Sequence, residues 1–223
     1  MLEEKIYEIL NRVDQSELII PNKGLEEAGH RSYLTKSCKS VTVDGLWLEF
    51  GVFRGRTICN ISDCTDKIVY GFDSFEGLHE NWNYDNPKGI YTLHGKIPEG
   101  AICGEDWEVP YKMKPWPENV VLIQGYFDDT LPNFLSENSE KVAFCHIDSD
   151  LYSSCKTIFN LLKDRIVAGT IIAFDELIGY NNFMEHEIKA FAEFLLETNF
   201  DYDVLYYQNP NDYGQVCVKI KNK

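Results

Sequence analysis

Acidic residues stand at the ends of several short apolar segments in this 223-residue sequence. If the segments are strands of one parallel sheet, their carboxyl ends meet at one edge, which is where open α/β sheets bind ligands. A single acid after a strand is commonplace, whereas a repeated pattern predicts a charged binding site. The acids in these positions are Glu49, Asp73, Asp148, Asp150, Asp175 and Glu176.

The first of these segments, WLEFGVFRGRT, combines Glu49 with the glycines Gly51 and Gly55. Glycines at a strand end let the backbone turn tightly and approach a ligand, but the G-x-G-x-x-G spacing of dinucleotide sites is missing. This disfavours a nicotinamide cofactor. An acid beside the turn suits a cofactor with an ammonium group, such as S-adenosylmethionine. Asp73, at the next strand end, occupies the place from which an acid accepts hydrogen bonds from ribose hydroxyls.

The elements that must position these residues alternate along the chain. Five apolar runs are predicted as buried strands, and amphipathic helical patterns lie between them. The alternation predicts an α/β fold with a parallel sheet and helices on both faces, and an antiparallel hairpin closes the chain. In the helix after Asp150, Ser153 or Ser154 is the predicted cap. The five runs are LWLEFGV, KIVYGFDSF, NVVLIQGYF, KVAFCHIDSD and GTIIAFDEL.

Length and composition favour one domain over residues 1–223, with an N-terminal helical arm (1–44) and an irregular insertion at about 78–118 that predicts a lid. The net charge of -15 would repel phosphate backbones and anionic lipid, so neither nucleic acid nor a membrane is an expected partner. The acidic N-terminus is unlike a secretory signal, which predicts a cytoplasmic location. Seven cysteines without paired spacing predict reduced thiols.

Five motifs, in order, give the sequence a family resemblance over about residues 45–195. They are WLEFGVFRGRT, VYGFDSFEGL, GYFDDTLPNF, HIDSDLYSS and GTIIAFDE. Together they resemble the macrocin O-methyltransferase family of class I S-adenosylmethionine-dependent methyltransferases. The resemblance implies the Rossmann-like class I methyltransferase fold, a mostly parallel seven-stranded sheet whose antiparallel strand comes from the final hairpin.

The resemblance also implies a cofactor site. Glu49 and Gly51 would face the methionine end of S-adenosylmethionine, Asp73 would bind the ribose, and Gly125 to Asp128 would flank the adenine. For Tyr126 and Phe127, packing in the core is an equal alternative. The full set of cofactor-binding residues is Glu49, Phe50, Gly51, Val52, Phe53, Arg54, Gly55, Asp73, Ser74, Phe75, Gly125, Tyr126, Phe127, Asp128 and Asp148.

Some members of this family hold a divalent metal with carboxylates after the fourth and fifth strands. Asp148, Asp175 and Glu176 occupy those places, and the resemblance implies that they are both the metal ligands and the catalytic residues. Oxygen ligands suit Mg²⁺ or Ca²⁺ better than zinc. The sequence departs from the family by having Asp-Glu where paired aspartates are usual. The resemblance therefore does not decide whether a metal is present or how it would be held.

The resulting hypothesis is methyl transfer to a hydroxyl of a small, sugar-like molecule. His79 and His94, in or beside the lid, are candidate bases, and His146 in a buried strand is interpreted as structural. A non-catalytic or regulatory S-adenosylmethionine-binding protein on the same scaffold is the alternative. The acceptor and the oligomeric state, a homo-oligomer included, stay open.

Overall fold

This computed structural model describes residues 1–18, 26–102, 113–209 and 211–223. All the strands in these residues belong to one sheet. The strands are β1 (Glu17–Leu18), β2 (Leu46–Phe50), β3 (Val69–Asp73), β4 (Val120–Gln124), β5 (Val142–Ile147), β6 (Ile171–Ile178), β7 (Asp201–Gln208) and β8 (Gly214–Lys221). Their order across the sheet is β1-β7-β8-β6-β5-β2-β3-β4.

The direction of the chain reverses beside β2. From β2 the chain moves outward to β3 and β4, and it then crosses back to β5 on the other side of β2. The pairs β2–β3, β3–β4, β2–β5 and β5–β6 are parallel, whereas β8 runs antiparallel to both β6 and β7. In an open α/β sheet, such a switch in strand order leaves a crevice at the carboxyl edge.

Six α-helices of the described residues cover the two faces of this sheet. Helices α1, α4, α5 and α6 pack on one face, and α2 and α3 on the other. A short 3₁₀ turn at Phe183–Glu185 precedes α6. The helices are α1 (Leu2–Asp14), α2 (Glu26–Lys39), α3 (Arg56–Ser62), α4 (Phe127–Glu137), α5 (Tyr152–Leu162) and α6 (Glu187–Thr198).

Strand alternation in β2 divides its side chains between the two faces. Leu46, Leu48 and Phe50 belong to the core under α1, α4, α5 and α6, while Trp47 belongs to the core under α2 and α3. Successive side chains of a strand point to opposite faces. Glu49 therefore lies on the Trp47 face of the sheet, which is packed and closed to water.

The predicted fold class is confirmed by the seven long strands, the parallel order and the antiparallel C-terminal hairpin. The two-residue strand β1 is an addition, and it pairs with β7 at the edge. The predicted cap at Ser153 or Ser154 was wrong. Leu151 is the N-cap of α5, because the chain turns at Asp150 with φ 61° and enters the helix at once.

The irregular segment between β3 and β4 carries no helix or strand in its described parts. One isolated bridge joins Ala101 to Lys114. Residues 103–112 of the predicted lid (78–118), and residues 19–25 of the predicted arm (1–44), lie outside the described residues. The role of residues 78–118 as a lid stays a prediction.

The cysteines follow the sequence prediction with one exception. Cys59 is disulfide-bonded, so the prediction of reduced thiols was wrong there, because spacing along a chain does not show which distant thiols fold together. Cys103 lies outside the described residues. The free cysteines of the described residues are Cys38, Cys64, Cys145, Cys155 and Cys217.

No helix of the described residues is long and apolar enough to cross a membrane.

The close approach of β2 to β5 gives a testable requirement for glycine. Gly51 has φ 93°, and a Cβ there would lie 1.7 Å from the carbonyl oxygen of Asp148, whereas Gly89, with φ 87°, has no atom within 4 Å of that position. Both Gly→Ala changes bear the left-handed backbone cost of about 1–2 kcal/mol. In urea unfolding, we expect Gly51→Ala to lower the free energy of unfolding by about 2 kcal/mol more than Gly89→Ala does, because overpacking adds a cost of that size. Equal losses at the two glycines would contradict the close approach.

Candidate active site

A cavity of about 1190 Å³ opens at the carboxyl edge of the sheet, under the segment that follows β3. Its volume exceeds that of a typical pocket for one small ligand, so it has room for a cofactor and a second molecule. Among the predicted site residues, those lining it are Gly51, Val52, Phe53, Arg54, Asp73, Ser74, Gly125, Tyr126, Phe127, Asp128, Asp148, Asp175 and Glu176. Glu49, Phe50, Gly55 and Phe75 do not line it.

Asp73 organises the loop that follows β2. Its Oδ2 accepts hydrogen bonds from the backbone N–H groups of Val52 at 2.8 Å and Phe53 at 2.7 Å, and its Oδ1 accepts one from Phe75 at 2.7 Å. Phe53 and Phe75 have positive φ angles of 47° and 56°, so these bonds hold strained turns in place. A carboxylate has about four acceptor sites, so Asp73 can still accept a hydrogen bond from a ligand in the cavity.

Glu49 is not where the sequence interpretation placed it. Its side chain is fully buried, and its Oε1 lies 2.9 Å from Nδ1 of His146, its register partner on β5. Burial raises the pKa of Glu49, and the hydrogen bond to His146 opposes that rise. Strand alternation points Glu49 into the closed face, and the cavity begins at Gly51, so Glu49 does not line the cavity and its contact with a cofactor stays a prediction.

Asp175 lies on the other side of the same buried histidine. Nε2 of His146 is 3.9 Å from Oδ1 of Asp175, so the imidazole stands between two carboxylates, one buried and one at the cavity. The interpretation of His146 as structural agrees with this position. His146 thereby links Glu49, deep in the sheet, to a carboxylate that a ligand can reach.

A different set of three acids comes together at the cavity. Ligand oxygens of Asp148, Asp150 and Glu176 all lie within 4.8 Å of one another, and Asp175 is outside this group. The backbone N–H of Asp150 donates to Oε1 of Glu176 at 3.3 Å. This group shares Asp148 and Glu176 with the predicted triad of Asp148, Asp175 and Glu176 and has Asp150 in place of Asp175, and the identity of the metal ligands stays a prediction. Asp175 is outside the group because β6 continues to Ile178, so adjacent residues Asp175 and Glu176 point in different directions.

The electrostatics of this carboxylate cluster, defined as Asp148, Asp150 and Glu176, follow from burial and like charge. Burial is the largest cause that raises the pKa of Asp148 and Glu176 well above the usual range, and the pKa of Asp150 to about 7. Neighbouring carboxylates raise them further. Glu187, at the start of α6, has its pKa raised to about 8 for the same reasons. A divalent cation would relieve this repulsion.

The turn from β4 into α4 forms another wall. Gly125 has φ 140°, and Tyr126 is 41% exposed and edge-on to the His79 ring. Phe127 both lines the cavity and packs edge-on against Phe50 in the core. Of the two interpretations of these aromatic residues, packing therefore applies in part to Phe127, and Tyr126 is free to contact a ligand.

The remaining predicted residues serve the framework or stand at the rim. Phe50 stacks on Phe72, and Gly55 makes a positive-φ turn against Trp116. His79 lines the cavity, with Nε2 3.1 Å from Oγ of Ser153, whereas His94 does not line it.

Sequence reasoning missed an aromatic wall at the mouth of the cavity. Trp82, Tyr91 and Tyr213 line it, and Tyr213 stacks on Tyr180 with ring centroids 5.2 Å apart. Trp82 and Tyr91 lie in the segment between β3 and β4, and Tyr213 lies in the turn between β7 and β8, so no local pattern could group all three. Glu187 was also missed, and Asp150 was named among the strand-end acids but not among the metal ligands, although its Asp-x-Asp spacing with Asp148 was a usable signal.

The raised pKa values predict that the metal-free protein loses stability as pH rises. These acids ionise near pH 4 in the unfolded chain, but near pH 7 for Asp150 and pH 8 for Glu187 in the folded protein. Between those limits the folded state binds more protons, so the free energy of unfolding falls from about pH 4 to about pH 8. Urea unfolding in chelator should show this slope, and Asp150→Asn should flatten it. An equal slope in that variant would contradict the assignment.

Comparisons with known proteins bear on this geometry. The family described as Macrocin-O-methyltransferase (TylF) matches residues 29–203. A search of the curated proteins found no match.

Solved structures share the fold. The calicheamicin methyltransferase CalS11 is 20% identical over 97% of this chain and 91% of its own, with a TM-score of 0.64. The O-methyltransferase NovP is 19% identical over 86% of this chain and 79% of its own, with a TM-score of 0.56. An O-methyltransferase from Bacillus cereus, solved in complex with SAH, is 14% identical over 98% of this chain and 91% of its own, with a TM-score of 0.55. The match over residues 29–203 spans most of the chain, and this protein therefore belongs to the macrocin O-methyltransferase family of S-adenosylmethionine-dependent methyltransferases.

Proposed function

We propose that this methyltransferase transfers the methyl group of S-adenosylmethionine to a hydroxyl of a small, sugar-like molecule, assisted by a divalent metal ion. The observation that carries the proposal is the carboxylate cluster, which lies in the same cavity as the glycine turn and Asp73. The part of the cavity around the glycine turn suits a cofactor, and the part around the carboxylate cluster suits an acceptor with polar groups.

The cofactor would lie over the loop after β2. Gly51 and its neighbours let the backbone approach the ligand, Asp73 would accept hydrogen bonds from the ribose hydroxyls, and Tyr126 with Asp128 would flank the adenine. The sulfonium and ammonium groups of the cofactor suit an acidic cavity. Glu49 lies below the cavity surface and pairs with His146, so it would support the site from inside the sheet.

The acceptor would lie between the carboxylate cluster and the aromatic wall of Trp82, Tyr91 and Tyr213. Aromatic faces pack against the apolar side of a sugar ring, while carboxylates accept hydrogen bonds from its hydroxyls. One solved structure of CalS11 is described as a TDP-rhamnose 3'-O-methyltransferase, which agrees with a sugar hydroxyl as the methylated group. A small-molecule acceptor is consistent with a cavity rather than an open groove.

The donor set fits a hard divalent cation. Asp148, Asp150 and Glu176 offer oxygen ligands only, which suits Mg²⁺ or Ca²⁺, and the cluster needs positive charge because its members are buried and close. Bound there, the ion would hold the acceptor hydroxyl and lower its pKa. Asp175, on the His146 side, would orient the acceptor rather than ligate the ion.

The protein itself contributes mainly alignment. Methyl transfer is an in-line displacement at carbon, so the hydroxyl oxygen, the methyl carbon and the sulfur must be collinear. Gly51 lets the ends of β2 and β5 approach closely, which would bring the cofactor and the acceptor next to each other. As the new C–O bond forms, the bond between the methyl carbon and sulfur would break and leave S-adenosylhomocysteine, and the proton of the acceptor hydroxyl would pass to a carboxylate at the cavity.

The cofactor assignment is tested by isothermal titration with S-adenosylhomocysteine. Asp73→Asn should weaken binding about ten- to a hundredfold, because it removes a charged acceptor and turns an NH₂ group toward backbone donors. Asp66→Asn, an exposed acid just before β3, serves as the matched control and should bind as the parent protein does. No heat with the parent protein would favour a different role for this scaffold, and equal affinities of Asp73→Asn and parent would refute the ribose contact.

The ion assignment is tested by comparing two aspartates. Mg²⁺ or Mn²⁺ at a hundredfold excess over Kd should stabilise the parent by about 2.7 kcal/mol. Asp150→Asn should lose most of this stabilisation, and Asp175→Asn should keep most of it, as measured by thermal unfolding with and without the ion. The reverse result would restore the triad predicted from the sequence, and stability that ignores both ions in the parent would remove the metal from the mechanism.

A further inference from the structure

A fourth acid lies directly behind the carboxylate cluster. Glu187, the first residue of α6, is fully buried, and its Oε1 accepts hydrogen bonds from Ser149, from the backbone N–H at 3.2 Å and from Oγ at 3.1 Å. Its Oε2 has no hydrogen-bond partner within the described part of the chain. An acid in the first turn of a helix is ordinary, but such acids are normally exposed. Helix capping therefore does not account for this one.

Ser149 stands between two members of the cluster, Asp148 and Asp150. The next residue, Asp150, has φ 61°, a left-handed conformation that is strained for a residue with a side chain. This turn is held from two sides, since Glu187 binds Ser149 and Glu176 accepts the N–H of Asp150 at 3.3 Å. Without an anchor on Ser149, the turn could relax and separate the two aspartates.

A buried acid beside three others is costly, because like charges repel strongly where water is excluded. Glu187 is thus poorly explained as a stabilising element of the core, where an apolar side chain or a glutamine would pack at lower cost. Its two hydrogen bonds to a single residue of the turn give it a different use. It lets the position of α6 determine the geometry of the cluster.

We propose that Glu187 is a positioning residue for the divalent-ion site: through its two hydrogen bonds to Ser149 it holds the Asp148-Ser149-Asp150 turn so that both aspartates reach one ion together with Glu176. The inference rests on the ion site of the proposed function. Groups behind metal ligands typically change metal affinity 10- to 100-fold when they are removed.

The experiment measures the affinity of the cofactor-free protein for Mn²⁺ alone and for Mg²⁺ alone, by isothermal titration at one fixed pH. Glu187→Ala should weaken Mn²⁺ binding about 10- to 100-fold, because the turn loses its anchor. Glu187→Gln keeps an amide oxygen that accepts both Ser149 hydrogen bonds, so it should stay within about threefold of the parent. Ser149→Ala removes one of the two bonds and should weaken binding about 2- to 10-fold.

Glu193→Ala is the matched control. Glu193 is on the same helix, but its carboxylate accepts hydrogen bonds from Tyr152 and pairs with Lys156 on α5, away from the cavity. This variant should bind Mn²⁺ as the parent does, even if its melting temperature falls as far as that of Glu187→Ala. If Glu187→Ala does not fold, Ser149→Ala and Glu187→Gln still give the comparison.

The outcomes separate this inference from the proposal on which it rests. A parent that binds Mn²⁺, with Glu187→Ala or Ser149→Ala binding equally well, overturns the positioning role alone. A loss in Glu187→Gln as large as that in Glu187→Ala also overturns it, because charge rather than the hydrogen bonds would then matter. A parent that binds S-adenosylhomocysteine but neither ion overturns the ion site and this inference together, and leaves the methyltransferase assignment standing.

Discussion

Repulsion among buried carboxylates is the constraint on which the functional end of this protein depends. Asp148, Asp150 and Glu176 share one side of the cavity, and Glu187 lies behind them. Burial is the largest cause that raises the pKa of each, and neighbouring carboxylates raise it further, which for Asp150 are Asp175 and Asp73. Such a group of acids stays together only if the surrounding core is rigid enough to prevent its separation.

The core under α5 and α6 provides that rigidity. Phe159 stacks on Phe194 with ring centroids 4.7 Å apart, and Phe174 of β6 contacts Phe191 with ring centroids 5.2 Å apart. These rings join β6, which carries Glu176, to the helix that begins with Glu187. Apolar packing thereby fixes the positions of charged groups that would otherwise move apart, and a bound cation would turn their repulsion into affinity.

The acids at the carboxyl edge fall into three kinds according to their partners. Asp73 is satisfied by three backbone N–H groups and shapes a loop. Glu49 is paired with His146 and supports Asp175 from inside the sheet. The carboxylate cluster accepts few hydrogen bonds and faces the cavity. It is therefore the part of the edge where a cation would relieve the repulsion between acids. Carboxylates at neighbouring strand ends thus have three different surroundings: backbone donors at Asp73, a buried histidine at Glu49, and other acids in the carboxylate cluster.

The sequence alone was enough to predict the sheet, because continuous apolar runs such as KVAFCHIDSD and GTIIAFDEL are typical of strands that are buried on both faces. It also determined that the strand ends are acidic and that the loop after β2 turns on glycine. Which acids act together was decided only by the tertiary structure. Asp175 and Glu176 are adjacent in the chain and diverge because β6 continues past them, whereas Asp150 and Glu187 lie far apart in the chain and converge because α6 packs behind the end of β5. Side-chain direction and helix packing are properties of the assembled sheet, and no local pattern of residues contains them.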